Sequence, residues 1–238
     1  MSRRNRTATL LLALPIAGTI SAHGQTFDVS AHVEVVRHSA QTPRPGSAEV
    51  VIWLGPLDAT ASDVAPQKAQ NYTLTQKDKE FLPHLLVVPV GSKVDFPNLD
   101  PFFHNVFSLF NGKRFDLGLY EGHSRRSVQF DREGVSFIFC NIHPDMGAIV
   151  VSLGTPYYAV SSADGSVAIH GVPRGRYRLN VWAENVTADR LSEFNRIIEV
   201  GPQNLQIGTL RLETSGNSMS HHTNKFGEPY KPLPQQPY

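Results

Sequence analysis

A single cysteine, Cys140, is all the thiol chemistry in 238 residues. An intramolecular disulfide is therefore excluded, and packing alone must hold the fold. Charge of one sign is scarce as well. The chain has 22 Lys+Arg against 21 Asp+Glu and no basic run, which argues against a nucleic-acid partner. No Gly-x-Ser-x-Gly elbow occurs, and Ser161 and Ser162 sit in a turn without a matched His and Asp, so a hydrolase has no support. No long segment carries a sustained helical apolar period, which excludes a helical bundle.

What is present begins with an export signal. Residues 1–6 carry Arg3, Arg4 and Arg6; residues 9–20 are apolar but broken by Pro15 and Gly18; Ala22-His23-Gly24 supplies the small residues of a cleavage site. The spacing predicts a signal peptide over 1–24, cut before Gln25, in a periplasmic or secreted protein. The apolar run is too short to remain as a membrane anchor, so no stable membrane insertion is expected after cleavage. The signal's three arginines take no acid with them. The remaining chain is thus close to neutral, and the whole-sequence pI near 8.0 overstates its basicity.

Short apolar runs, alternating or continuous, recur between Gly, Pro, Asn and Asp. They cover 27–36, 48–54, 85–90, 93–96, 127–130, 135–140, 148–153, 167–169, 177–182, 196–200 and 206–212. Runs of this length and spacing predict an all-β protein of sandwiches, with one short helix near 188–194. From 213 to 238 the chain is rich in Ser, Asn, Gln and Pro and has no periodic face, which predicts a disordered tail.

The chemistry is concentrated at Phe139-Cys140-Asn141-Ile142-His143-Pro144-Asp145-Met146. Thiolate, imidazole and thioether stand three residues apart on a tight loop between two apolar runs. These donors suit a copper ion in an electron-transfer site. A buried, inert thiol is the plainer reading of a lone cysteine.

Residues 70–154 as a whole resemble the cupredoxins, the small blue-copper proteins such as plastocyanin and amicyanin. The resemblance rests on Phe81-x-Pro83, Gly91-x-x-Val94-x-Phe96-x-Asn98-x-Asp100, His104-Asn105, Gly134, and Cys140-x-x-His143-x-x-Met146. It implies a Greek-key sandwich holding one type 1 copper ion. His104, Cys140 and His143 would lie in a trigonal plane, with Met146 as the axial ligand. It implies a supporting role for Asn105, and rim positions for Ile142, Pro144 and Gly147 around an electron-exchange face. His84 is expected to be exposed at a strand start, His123 and His170 solvated, and the tail pair His221-His222 without a specific task.

The flanks, 27–60 and 155–212, resemble two parts of a carboxypeptidase regulatory-like (prealbumin-like) β-sandwich, through Asp164-Gly165 and Pro173-x-Gly175-x-Tyr177. The favoured reading inserts the cupredoxin into this second sandwich. The other joins the N-terminal strands to the copper unit directly. Two functions follow. One is a periplasmic one-electron carrier with redox partner proteins and no enzymatic activity. A multicopper oxidase would need His-x-His pairs, and a binuclear centre a second cysteine; both are absent. The other is an exported copper-holding or carbohydrate- or protein-binding module, with Trp182 or Tyr157-Tyr158 as a stacking face.

Overall fold

A computed structural model describes residues 25–36, 49–58, 67–109, 112–214 and 222–230. The expected signal peptide lies outside them. The described chain is all β apart from one short helix. Its elements begin with β1 (Thr26–Val36), β2 (Val50–Pro56), β3 (Asn71–Thr73), β4 (Thr75–Lys77), β5 (Glu80–Leu82), β6 (Leu85–Pro89), β7 (Ser92–Pro97) and β8 (His104–Ser108). They continue with β9 (Phe115–Tyr120), β10 (Arg125–Phe130), β11 (Gly134–Cys140), β12 (Gly147–Leu153), β13 (Tyr158–Val160), β14 (Ser166–Pro173) and β15 (Gly175–Ala183). After the helix α1 (Ala188–Ser192), capped by the Thr187 hydroxyl, come β16 (Arg196–Val200) and β17 (Leu205–Glu213).

Four main sheets are stacked in sequence: β14-β1-β17, then β13-β2-β15-β16, then β6-β12-β11-β8-β9, then β10-β7-β3. A small β4-β5 ribbon completes the last pair. Strands β1 and β2 pair only with strands that follow residue 157, never with β3 to β12. The chain thus starts one sandwich, leaves it for a second over 71–153, and returns.

Three apolar layers separate the four sheets, and strand periodicity explains them. A strand with one wet face alternates, and β14 does so over 166–170, with Val167 and Ile169 turned inward. A strand covered on both faces reads as a continuous apolar run. All seven residues of β12 are buried. Its Ala148 and Val150 face the core shared with β7 and β10, while Ile149, Val151 and Leu153 face the other way. There they meet Val51 of β2 and Trp182 of β15, whose ring lies 6.5 Å from Phe137. Each fully buried Ile, Val or Leu stabilises by roughly 1.5–3 kcal/mol. This middle layer is therefore a true core and fixes one sandwich against the other.

His84 is a correction. Expected at the surface, it is buried at 8% exposure. Its Nε2 lies 2.7 Å from Glu184 Oε2, and its Nδ1 lies 3.2 Å from the Gly147 carbonyl. A carboxylate from the second sandwich satisfies it, which is how a polar ring tolerates burial. Trp182 and Tyr157 are also buried, at 8% and 4% exposure, so neither offers a stacking face to a sugar. His123 is exposed, and so is His170, which pairs with Asp28 at 3.0 Å. The tail departs from expectation too: residues 222–230 run along the Cys140 loop with specific hydrogen bonds.

Candidate metal centre

Two neighbouring strands build the site. β11 ends on Cys140, and its partner β8 begins on His104; the register sets Cys140 opposite Val106 and Phe139 opposite Phe107. The Asn141 amide extends the pairing by donating to the Asn105 carbonyl at 2.9 Å. His104 therefore arrives beside the loop by strand register alone, from 36 residues away in sequence. The loop is closed on itself. Cys140 N–H donates to the Met146 carbonyl, and Met146 N–H to the His143 carbonyl, both at 3.2 Å.

Cys140 Sγ lies 3.6 Å from Nδ1 of His104 and 3.6 Å from Nδ1 of His143, and the two Nδ1 atoms are 3.1 Å apart. Donors held about 2.0–2.3 Å from one ion, at angles of about 100–120°, are separated by about 3.1–3.8 Å. The three side chains fit a single metal ion. Among the described residues they are the only such group of His, Cys, Asp or Glu. Met146, fully buried, shares the core cluster of Cys140. A thiolate and two imidazoles are donors that suit a transition-metal ion such as copper.

Asp100 sets the tautomer of His104. Its Oδ2 lies 2.9 Å from His104 Nε2, and the carboxylate also accepts from the amides of Asp78 at 2.6 Å and Lys79 at 3.1 Å. Burial opposes its ionisation, but these hydrogen bonds outweigh burial and hold its carboxyl below the usual range. An ionised carboxylate only accepts, so His104 carries its proton on Nε2 and turns the Nδ1 lone pair toward the sulfur. Gly122 packs against the Asp100 carbonyl so closely that any Cβ there would collide with it.

The charges are tuned for ligation. Burial lowers the His104 pKa, opposed by Asp100. Burial, with the neighbouring His104 second, brings His143 down to about 4. Both rings are therefore neutral donors at pH 7. Burial pushes the Cys140 thiol up, while the backbone amides of Asn105, Ile142 and His143 favour its thiolate. A bound cation would remove that thiol proton outright. The Phe102 ring stands edge-on to both imidazoles, 5.3 Å from His104 and 5.6 Å from His143.

The structure thus brings His104, Cys140 and His143 together, with Met146 buried in the same core. Asn105 acts through its backbone amide on the sulfur; its side chain donates instead to Asp116 at 2.7 Å and to the Gly118 carbonyl at 3.0 Å. Ile142 and Pro144 are partly exposed, but Gly147 is buried in the β11–β12 pairing and forms no rim. Sequence reasoning missed Asp100 and Phe102 as neighbours of the ligands. Asp100 already stood in the motif that carries the family resemblance, four residues before His104, but no role followed from it.

No protein-family model matches the chain, and no curated protein does. Among solved structures, a purple cupredoxin from Nitrosopumilus maritimus is 26% identical over 36% of this chain and 100% of its own, with a TM-score of 0.31. Amicyanin from Paracoccus versutus is 21% identical over 42% of this chain and 91% of its own, with a TM-score of 0.32. A copper-containing nitrite reductase from Thermus scotoductus is 21% identical over 50% of this chain, TM-score 0.34, and the match spans only 28% of the reductase. No helix among the described residues is long and apolar enough to cross a membrane.

Proposed function

We propose that this protein is an exported type 1 copper protein that carries single electrons between partner proteins, with no bond-making chemistry of its own. One copper ion, alternating between Cu(I) and Cu(II), would supply the redox chemistry. His104, Cys140 and His143 would hold it, with Met146 on the axis. The observation that carries this reading is the convergence of one thiol and two imidazole nitrogens within 3.1–3.6 Å, in a pocket where both rings are neutral.

The chain's own residues explain why such a centre suits electron transfer. Three of the four donors sit on a loop closed by its own backbone hydrogen bonds, and the fourth is locked by Asp100. Donors that cannot relax change place little between oxidation states, which favours fast transfer. His104, Cys140 and Met146 are fully buried, and His143 alone keeps some exposure, at 8%. His143 is thus the contact point for a partner. The flanking sandwich, read as regulatory-like from its turn motifs, would serve as a rigid base.

The test is direct. Adding Cu(II) to the purified protein should produce an intense visible band from thiolate-to-copper charge transfer, and the couple should cycle reversibly in potentiometry. Cys140→Ser should abolish the band. A colourless complex, or one indifferent to that substitution, refutes the proposal. A blue centre without a reversible couple would favour a copper-holding module instead.

A further inference from the structure

The segment 222–230 belongs to neither sandwich, yet it reaches the Cys140 loop at three points. Tyr230 Oη donates to the Cys140 carbonyl at 2.7 Å and also lies 3.2 Å from His222 Nδ1. The His222 ring stacks on Phe139, the residue before the cysteine, at 3.8 Å between centroids and 26° between planes. Lys225 N–H donates to Asn141 Oδ1, the residue after it, at 2.9 Å. Residues 139, 140 and 141 are thus each held from outside by the same nine-residue stretch.

A fourth link runs deeper. Lys225 Nζ pairs with Asp116 Oδ2 at 2.7 Å, and Asp116 Oδ1 accepts from the Asn105 side chain at 2.7 Å. The Asn105 backbone amide is one of those directed at the Cys140 sulfur, and its carbonyl accepts from Asn141. The ammonium therefore balances a carboxylate that orients a residue in contact with the thiolate.

We propose that residues 222–230 form a clasp that positions the Cys140 loop, with Tyr230, Lys225 and His222 as positioning residues that set the reduction potential and slow metal release. This rests on the copper reading above. A hydrogen bond to the Cys140 carbonyl draws electron density from the cysteine, and a cation balancing Asp116 reduces the negative charge felt at the sulfur. Both disfavour Cu(II) relative to Cu(I) and so raise the potential. The clasp also restrains the backbone that must move before a ligand lets go.

The test uses the full chain, loaded with copper, as Tyr230→Phe, Lys225→Met and Lys225→Arg. Tyr230→Phe and Lys225→Met should shift the charge-transfer band, lower the midpoint potential, and speed copper transfer to a chelator by about fivefold, the effect of one hydrogen bond. Lys225→Arg should restore the parent values. Unchanged band, potential and release rate overturn the clasp, as does a change in thermal stability alone. Hydrogen exchange at the amides of Cys140 and Asn141 in the metal-free protein supplies a readout that needs no copper. Faster exchange in Tyr230→Phe and Lys225→Met supports the clasp even should the parent bind no copper; exchange at the parent rate refutes it.

Discussion

Asp100→Asn isolates one atom of the proposed centre. The carboxylate accepts three hydrogen bonds: Oδ1 from Asp78 N–H, and Oδ2 from Lys79 N–H and His104 Nε2–H. An amide has one acceptor oxygen, so its best orientation keeps the oxygen at the Oδ2 position and turns its NH2 toward Asp78. One backbone donor then loses its partner and two donors face each other, which costs about 1–3 kcal/mol of fold stability. The remaining bond to His104 becomes a neutral one, about half as strong as the charged one. Partners of this kind are worth about 10–100-fold in metal affinity. An opposing effect exists. Asp100 raises the His104 pKa against burial, so its loss weakens proton competition at that ring. The competition matters only below the ordinary histidine value of 6.5, so at neutral pH the loss of orientation decides. Chelator competition at neutral pH should therefore show Cu(II) held about tenfold or more weaker, with urea unfolding reporting the stability loss separately. A folded variant that binds copper as tightly as the parent would refute the assigned role of Asp100.

Other outcomes follow from the same geometry. In the metal-free protein, His143 titrates near 4 instead of 6.5, so the unfolded chain takes up its proton first. Stability contributed by the neutral ring is complete above pH 6.5 and declines as pH falls toward 4. Urea midpoints measured across that window should fall with acid, and a flat profile contradicts the burial of this ring. Ile149→Ala empties a site at 1% exposure in the layer between the sandwiches and should cost about 2–5 kcal/mol in urea unfolding. Ile197→Ala, at 59% exposure, should stay within about 0.5 kcal/mol. Equal effects of the two would mean that the middle layer is not a core. Glu184→Ala leaves the buried His84 without its carboxylate and should cost about 1–3 kcal/mol by the same assay.

Much of this protein is written within a few residues of itself. Strand identity depends on a two-residue period, and the difference between alternation in β14 and continuity in β12 already encodes which strands are covered on one face and which on both. Cys140, His143 and Met146 declare their chemistry because a short loop keeps them together whatever the rest of the chain does. Turn residues such as Asp164-Gly165 likewise act locally, and so does Thr187, whose side chain caps the helix at 188–192 in the folded chain.

What tertiary structure alone decided is which distant groups meet. His104 reaches the sulfur only through the register of β8 on β11, and His84 is buried only because a second sandwich brings Glu184 to it. The polar composition of 222–230 signals no order, since its contacts are made with a surface the segment does not itself contain. Hydrophobic period and ligand spacing are properties of neighbouring residues. Register, burial and docking depend on strands that approach each other only after the chain has folded, and no local pattern states which ones they will be.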